Sequence, residues 1–131
     1  MTGLYAILVC GTRDGVPYDL LDSELTALAP DVVITGGARG TDAQAAAWAH
    51  AHGVKVATYK ADWAEHGRAA GPMRNQAMLD AAKPDLVLAF PSKTSVGTYD
   101  MLRRAKAAHV AMRIVRVPVA AAKSTPTGSL L

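Results

Sequence analysis

A chain of 131 residues can bury one substantial core but is too short for a catalytic domain plus a second folded module. Apolar residues make up 50% and charged residues 19%, which excludes a disordered chain, while seven aromatics (two Trp, four Tyr, one Phe) argue against a surface that stacks many rings on bases. Fourteen Lys and Arg against eleven Asp and Glu leave a net charge of +3, enough for a basic phosphate pocket and short of demanding a nucleic-acid groove; the single cysteine, Cys10, excludes an internal disulfide framework and a cysteine-cluster zinc site.

Five short apolar runs follow one another along the chain: Leu4–Cys10, Asp31–Thr35, Val54–Tyr59, Asp85–Phe90 and Met112–Val117. Each has the length and composition of a strand buried on both faces. Between them lie segments with helical spacing: Leu20, Leu21, Leu25 and Leu28, then Ala43 to His50, then Met73, Ala77, Met78 and Ala81, and finally Met101, Leu102, Ala105 and Ala108. Pro30 and Asp31 end the first helix, Gly53 suits a left-handed helix C-terminus, and Lys83-Pro84 closes the third helix. Alternating strands and helices require crossover connections. The expected fold is therefore α/β, a Rossmann-like three-layer α/β/α sandwich on a mainly parallel sheet of about five strands. The domain is expected to span 1–117; residues 118–131, rich in Ser, Thr, Pro and Gly without a period, are expected to form a surface tail open to disorder. No charged leader precedes the first apolar run and no run is long enough to cross a bilayer, so a soluble protein of the reducing cytosol, with no membrane partner, is expected.

In an open parallel sheet the ligand sits outside the carboxyl ends of the strands, so the loops that follow the apolar runs carry the function. Gly11-Thr12-Arg13 follows the first. Gly36-Gly37-Ala38-Arg39-Gly40-Thr41-Asp42 follows the second and leads into a helix. Glycines at a helix start let backbone amides approach an anion, and the unpaired amides of the first turn carry partial positive charge. Arg39 offers a bidentate contact to phosphate, and Thr41 or Asp42 can cap the helix. Gly37 and Gly40 have the spacing of the last two glycines of the dinucleotide fingerprint, but Thr35 stands in place of the first, the third strand ends in Tyr59-Lys60 with no acid, and no Walker lysine follows.

The third loop, Lys60 to Asn75, gathers acidic, basic, imidazole and indole groups. Pro72 suits a first helical turn, which places Arg74 and Asn75 within reach of the same crevice; Trp63 either seals the loop or stacks on a base, and His66 is a solvated loop histidine before it is an acid or base. After the fourth run, Gly97-Thr98 opens the last helix with a second set of amides, and Asp100 follows one step inside it.

Taken together, Gly11-Thr12-Arg13, the Gly36–Asp42 stretch, Ala61-Asp62-Trp63 with His66-Gly67, Gly71-Pro72-Met73-Arg74-Asn75 and Gly97-Thr98-Tyr99-Asp100 resemble the SLOG superfamily, specifically its YspA-like, cpYpsA-related branch, from about Tyr5 to Val117. The resemblance implies a Rossmann-like domain that binds a nucleotide or nucleotide derivative as a sensor or processing module. Relatives include the LOG phosphoribohydrolases, which cleave the N-glycosidic bond of nucleoside monophosphates, and the DNA-processing protein A family, which binds single-stranded DNA. By motif position Arg74 and Asp100 correspond to the catalytic arginine and glutamate of the LOG enzymes, and Gly11, Thr12, Arg13, Gly36, Gly37, Arg39, Gly40, Thr41, Asp42, Asn75, Gly97 and Thr98 to ligand-binding positions. Two departures weigh against hydrolysis: Pro91 is followed by Ser92 and Lys93, with no glycine until Gly97, and Asp100 is one methylene shorter than glutamate.

Were the chain a hydrolase, Asp100 would stabilise the oxocarbenium character that develops at the ribose C1′. Arg74 would hold the phosphate or the hydroxyl edge of the ribose, and Arg39 with the loop amides would anchor the phosphate. Neither metal nor other cofactor is called for, since the four histidines lack ligand spacing. Few aromatics and a modest charge speak against a nucleic-acid partner. Homo-oligomers are common among the relatives, and an alanine-rich helix such as Ala43–His50 could form a flat subunit interface.

Overall fold

The computed structural model describes residues 3–117; the segment 118–131, expected as a tail, lies outside the described residues. The chain alternates strand and helix: β1 (Ala6–Gly11), α1 (Tyr18–Leu28), β2 (Val32–Thr35), α2 (Thr41–Ala51), β3 (Lys55–Thr58), α3 (Trp63–His66), α4 (Ala70–Ala82), β4 (Leu86–Phe90), α5 (Val96–Ala107) and β5 (Ala111–Ile114). A short 3-10 turn, Gly67–Ala69, joins α3 to α4. The five strands form one parallel sheet in the order β3-β2-β1-β4-β5. This is the Rossmann-like α/β fold expected from the alternation.

Two apolar layers flank the sheet. On one side Leu21 and Leu25 of α1 and Ala45, Trp48 and Ala49 of α2 pack on Ile7, Val9, Val33 and Phe90. On the other, Met78 and Leu79 of α4 and Met101, Leu102 and Ala105 of α5 pack on Leu8, Ile34, Val87 and Ala89. Alternate residues of one strand thus serve opposite layers, which is why β1 and β4 read as unbroken apolar runs. Burial on both faces does not extend to the sheet margins. Along β3 only Val56 and Ala57 are half-buried, and all four residues of β5 are exposed, because each edge strand has a neighbour on one side only.

Helix ends follow the punctuation. Ala29 and Lys83 adopt left-handed conformations (φ 50° and 47°) just past α1 and α4, each donating its amide back into the last turn, and Pro30 and Pro84 prevent continuation. Gly53 has φ +67°, as its place after α2 requires. Within the described residues no helix is long and apolar enough to cross a membrane.

Sheet order places the topological switch at β1, with β2 on one side and β4 on the other. The loops after β1, β2 and β3 rise together on one half of the carboxyl rim, whereas the loop after β4 serves the other half.

Candidate functional site

Backbone sterics bring the first two loops together. Gly40 sits at φ +76° and ψ −124°, a region that side chains avoid, and a Cβ there would overlap the main chain of Arg13. That close approach is sewn by two bonds to one acceptor: the amide of Thr41 (3.1 Å) and its hydroxyl (2.8 Å) both donate to the carbonyl of Thr12. On the other flank the amide of Thr12 donates to the carbonyl of Phe90 at the end of β4 (3.0 Å). Gly11 leaves room for both neighbours, since a Cβ there would lie 2.8 Å from the Phe90 carbonyl oxygen and from Thr41 Oγ1. Thr12 and Thr41 are therefore buried joints that set where Arg13 and Arg39 stand.

Asp42 acts on the loop rather than on its own helix. Gly40 occupies the N-cap position of α2 and no side chain bonds there; the Asp42 carboxylate, 7% exposed, instead accepts from the amides of Gly36 and Ala38, each at 3.1 Å. The intervening amide of Gly37 donates to Thr35 Oγ1 (3.3 Å). The three amides expected to cradle a phosphate are thus bonded within the chain. Burial raises the Asp42 pKa above its ordinary value, against the opposing pull of those amides and of the Arg74 and Arg13 charges.

Arg74, in the second turn's approach of α4, reaches across to the same loop. Its Nη1 donates to the carbonyl of Gly36 (2.6 Å) and to that of Tyr59 (3.3 Å), tying the loops after β2 and β3 together, and its Nε donates to Asn75 Oδ1 (3.1 Å). A Cβ on Gly36 would collide with this guanidinium. Burial lowers the Arg74 pKa, Asp42 opposes that shift and Arg13 adds to it. The Cys10 thiol is pushed up, first by burial and then by the Asp42 charge, with Arg74 opposing; it is not a poised nucleophile.

These loops enclose an open cleft of about 550 Å³. Four cationic side chains line it, Arg13, Arg39, Lys60 and Arg74, with the backbone of Gly36, Gly37 and Ala38 as floor. Trp63, 50% exposed, stands on the rim, and the edge of its indole lies 3.3 Å from where a Cβ on Gly71 would be, so the ring both leans on α4 and presents a free surface to the cleft. Among the described residues, no carboxylate belongs to the lining. Guanidinium forks are suited to phosphate oxygens, and an indole face to a base or to a ring cation.

The sequence-derived residues fall into three groups. Arg13, Gly36, Gly37, Arg39 and Arg74 line the cleft; Gly11, Thr12, Gly40, Thr41 and Asp42 build its frame. Gly97, Thr98 and Asp100 lie elsewhere, on α5. Asn75 connects the groups: its Nδ2 donates to the Gly97 carbonyl (3.2 Å) and to Asp100 Oδ2 (3.0 Å). Asp100 also accepts from Arg104 Nε at Oδ2 (2.8 Å) and from Arg103 at Oδ1 (3.4 Å). Burial opposes its charge, but the bonds from Arg104 and Asn75 and the charges of Arg104 and Arg103 outweigh it, leaving the carboxyl below its ordinary pKa. Thr98 is buried, whereas Gly97 is exposed with open space around its α-carbon. His66 is near Glu65 (3.8 Å) and outside the lining.

Lys60, Ala61 and Trp63 join the cleft although sequence reasoning did not include them among the site residues. A signal for Lys60 was present, because it follows the third strand where a dinucleotide fold carries an acid. Trp63 owes its place to α3, whose start Asp62 fixes by accepting the Glu65 amide (3.1 Å).

Residues 5–66 match the model of the family described as YspA, cpYpsA-related SLOG, a span that covers β1 to α3 and most of the cleft. A protein of Mycobacterium phage D29, named Gene 61 protein, is 42% identical over 84 residues, covering 60% of this chain and 66% of the phage protein.

Proposed function

We propose that this chain, which belongs to the YspA, cpYpsA-related family of the SLOG superfamily, binds a nucleotide or nucleotide-derived ligand in the cleft over β1, β2 and β3 and does so as a sensor module. One observation carries the reading: Arg13, Arg39, Lys60 and Arg74 converge around an exposed Trp63 with, among the described residues, no carboxylate in the lining. Arg13, Arg39 and Lys60 are exposed and repel one another and the half-buried Arg74, and an anionic guest relieves that repulsion. Because the Gly36 and Ala38 amides are bonded to Asp42, the guest's phosphate is held by side chains, with Arg74 preset by its two carbonyl contacts and Arg13 and Arg39 free to close on it.

A hydrolase reading requires a carboxylate near the ribose C1′. Asp100 is the sequence's choice, but three donors from Asn75, Arg104 and Arg103 hold its oxygens within the α4–α5 seam, and it does not line the cleft. Binding without turnover fits this arrangement better. Incubation with the four common nucleoside 5′-monophosphates, followed by chromatography for free base and ribose 5-phosphate and by calorimetry, separates the two. Saturable binding with no base released supports the sensor reading; release of base that Asp100→Asn abolishes while binding persists overturns it in favour of phosphoribohydrolase activity.

A further inference from the structure

We infer that the ligand carries a second phosphate on its ribose, at the 2′ or 3′ position, and that Lys60 is the residue that selects it. The inference rests on the nucleotide reading of the cleft and adds the class of nucleotide.

Strand register fixes the position. β2 and β3 are neighbours in parallel, with Thr35 opposite Thr58, so Gly37 and Lys60, each two residues farther on, come side by side above the sheet. Packing agrees: Cγ and Cε of Lys60 lie 3.1 and 3.5 Å from where a Cβ on Gly37 would be, so the lysine stem runs across that glycine and its ammonium reaches the cleft. In a strand-helix-strand unit whose first loop faces the phosphate chain, the end of the second strand faces the ribose edge. A carboxylate there accepts hydrogen bonds from a free diol. An ammonium has no acceptor to offer, and its charge matches a phosphate.

Charge count points the same way. Arg74 already spends its Nε on Asn75 and its Nη1 on the carbonyls of Gly36 and Tyr59, so Arg13 and Arg39 are the guanidiniums left beside the loop after β2 to take the oxygens of one phosphate. A single phosphate leaves Lys60 without a partner, and among the described residues no cleft carboxylate supplies one. A second phosphate on the ribose satisfies it.

Calorimetry tests this with nucleoside 3′,5′-bisphosphates of the four common bases and adenosine 2′,5′-bisphosphate, against the 5′-monophosphates and 5′-diphosphates of the same bases. A ribose-phosphorylated ligand is expected to bind at least tenfold more tightly than its monophosphate and its diphosphate. Lys60→Gln should lose about tenfold on that ligand and under threefold on the monophosphate, and Lys60→Arg should keep the preference. Lys60 is exposed, so both variants are expected to fold as the parent does. Saturable binding in which the monophosphate or the diphosphate equals the ribose-phosphorylated ligand, or a preference that survives Lys60→Gln, overturns the inference and leaves the nucleotide reading standing. Failure of all these compounds to bind overturns both.

Discussion

Substitution of Gly40 by alanine tests how the cleft is assembled, and Gly53 supplies its control. Both glycines have positive φ, +76° and +67°, but a Cβ on Gly53 meets nothing within 4 Å, whereas one on Gly40 would overlap the main chain of Arg13. Gly53→Ala therefore isolates the conformational term, about 1 kcal/mol for an alanine on the left-handed side. Gly40→Ala carries a larger one, roughly 1–3 kcal/mol, because ψ −124° takes it into glycine-only territory. It must in addition move the Arg13 backbone, a displacement comparable to overpacking a core and worth about 1–3 kcal/mol. The expected loss is about 2–6 kcal/mol, a large share of an ordinary domain's stability. Urea unfolding reads both, as a shift in midpoint at unchanged slope. Ligand affinity should fall only in Gly40→Ala, since separating Thr12 from Thr41 parts Arg13 from Arg39. Equal destabilisation by the two substitutions, with affinity intact in both, would refute the claim that this backbone contact holds the cleft.

Arg39→Ala should weaken nucleotide binding by about 1.5–3 kcal/mol, the range for a hydrogen bond to a charged group, and calorimetry that returns the parent affinity removes Arg39 from the site. Trp63→Ala should cost about 1–3 kcal/mol in nucleotide affinity while inorganic pyrophosphate binds as before, because only the base needs the indole; equal losses on both ligands count against stacking. Asp100→Asn should destabilise the fold at pH 7 by about 1–3 kcal/mol through its weakened bonds to Arg104 and Asn75. The folded pKa of Asp100 lies below 3.8, so unfolding takes up a proton in the interval beneath that value. Its stabilisation is complete above this interval and disappears as the pH falls through the folded pKa. The gap between parent and variant in urea midpoint should therefore close on acidification below pH 3.8, and a gap that is constant with pH would show that the carboxylate charge is not the source.

Local pattern carried the elements and geometry carried their meaning. β1 and β4 were legible because an interior strand is apolar on both faces, and Ile7–Val9 and Val87–Phe90 are all 0% exposed. The exposure of β5 was not, since Met112 and Ile114 look like core residues until the sheet order makes theirs the outer strand. The α3 segment was hidden for a related reason: Trp63 to Ala69 are all exposed, so no apolar period marks them, and only Asp62, with Glu65 three residues on, hinted at a helix start. Glycine spacing located the loop after β2 correctly. It could not show that Asp42 turns back to Gly36 and Ala38, because a carboxylate two residues into a helix has the helix dipole as its nearest sequence-level explanation. Asp100 and Arg74 followed one another through family motifs, yet the side chains diverge, one into the seam between α4 and α5 and the other onto the Gly36 carbonyl.

The place of Asp42 bears on how such a cleft can recognise its guest. In a glycine-rich loop that donates its amides to phosphate, the ligand completes the loop and its binding includes the entropy of ordering it. Here a buried carboxylate takes two of those amides, Thr35 takes the one between them, and Arg74 clamps the Gly36 carbonyl from the opposite side. Under the proposed nucleotide reading, the floor is formed before the ligand arrives, and discrimination passes to the side chains above it. Arg13, Arg39 and Lys60 are exposed and lie on three different loops or loop ends, so the distance between their charges is set by the joints Thr12–Thr41 and Gly37–Lys60 rather than by one continuous motif. A rigid floor with separately mounted cations measures the spacing of negative groups on a guest, which a single amide cradle, built for one phosphate, does not do.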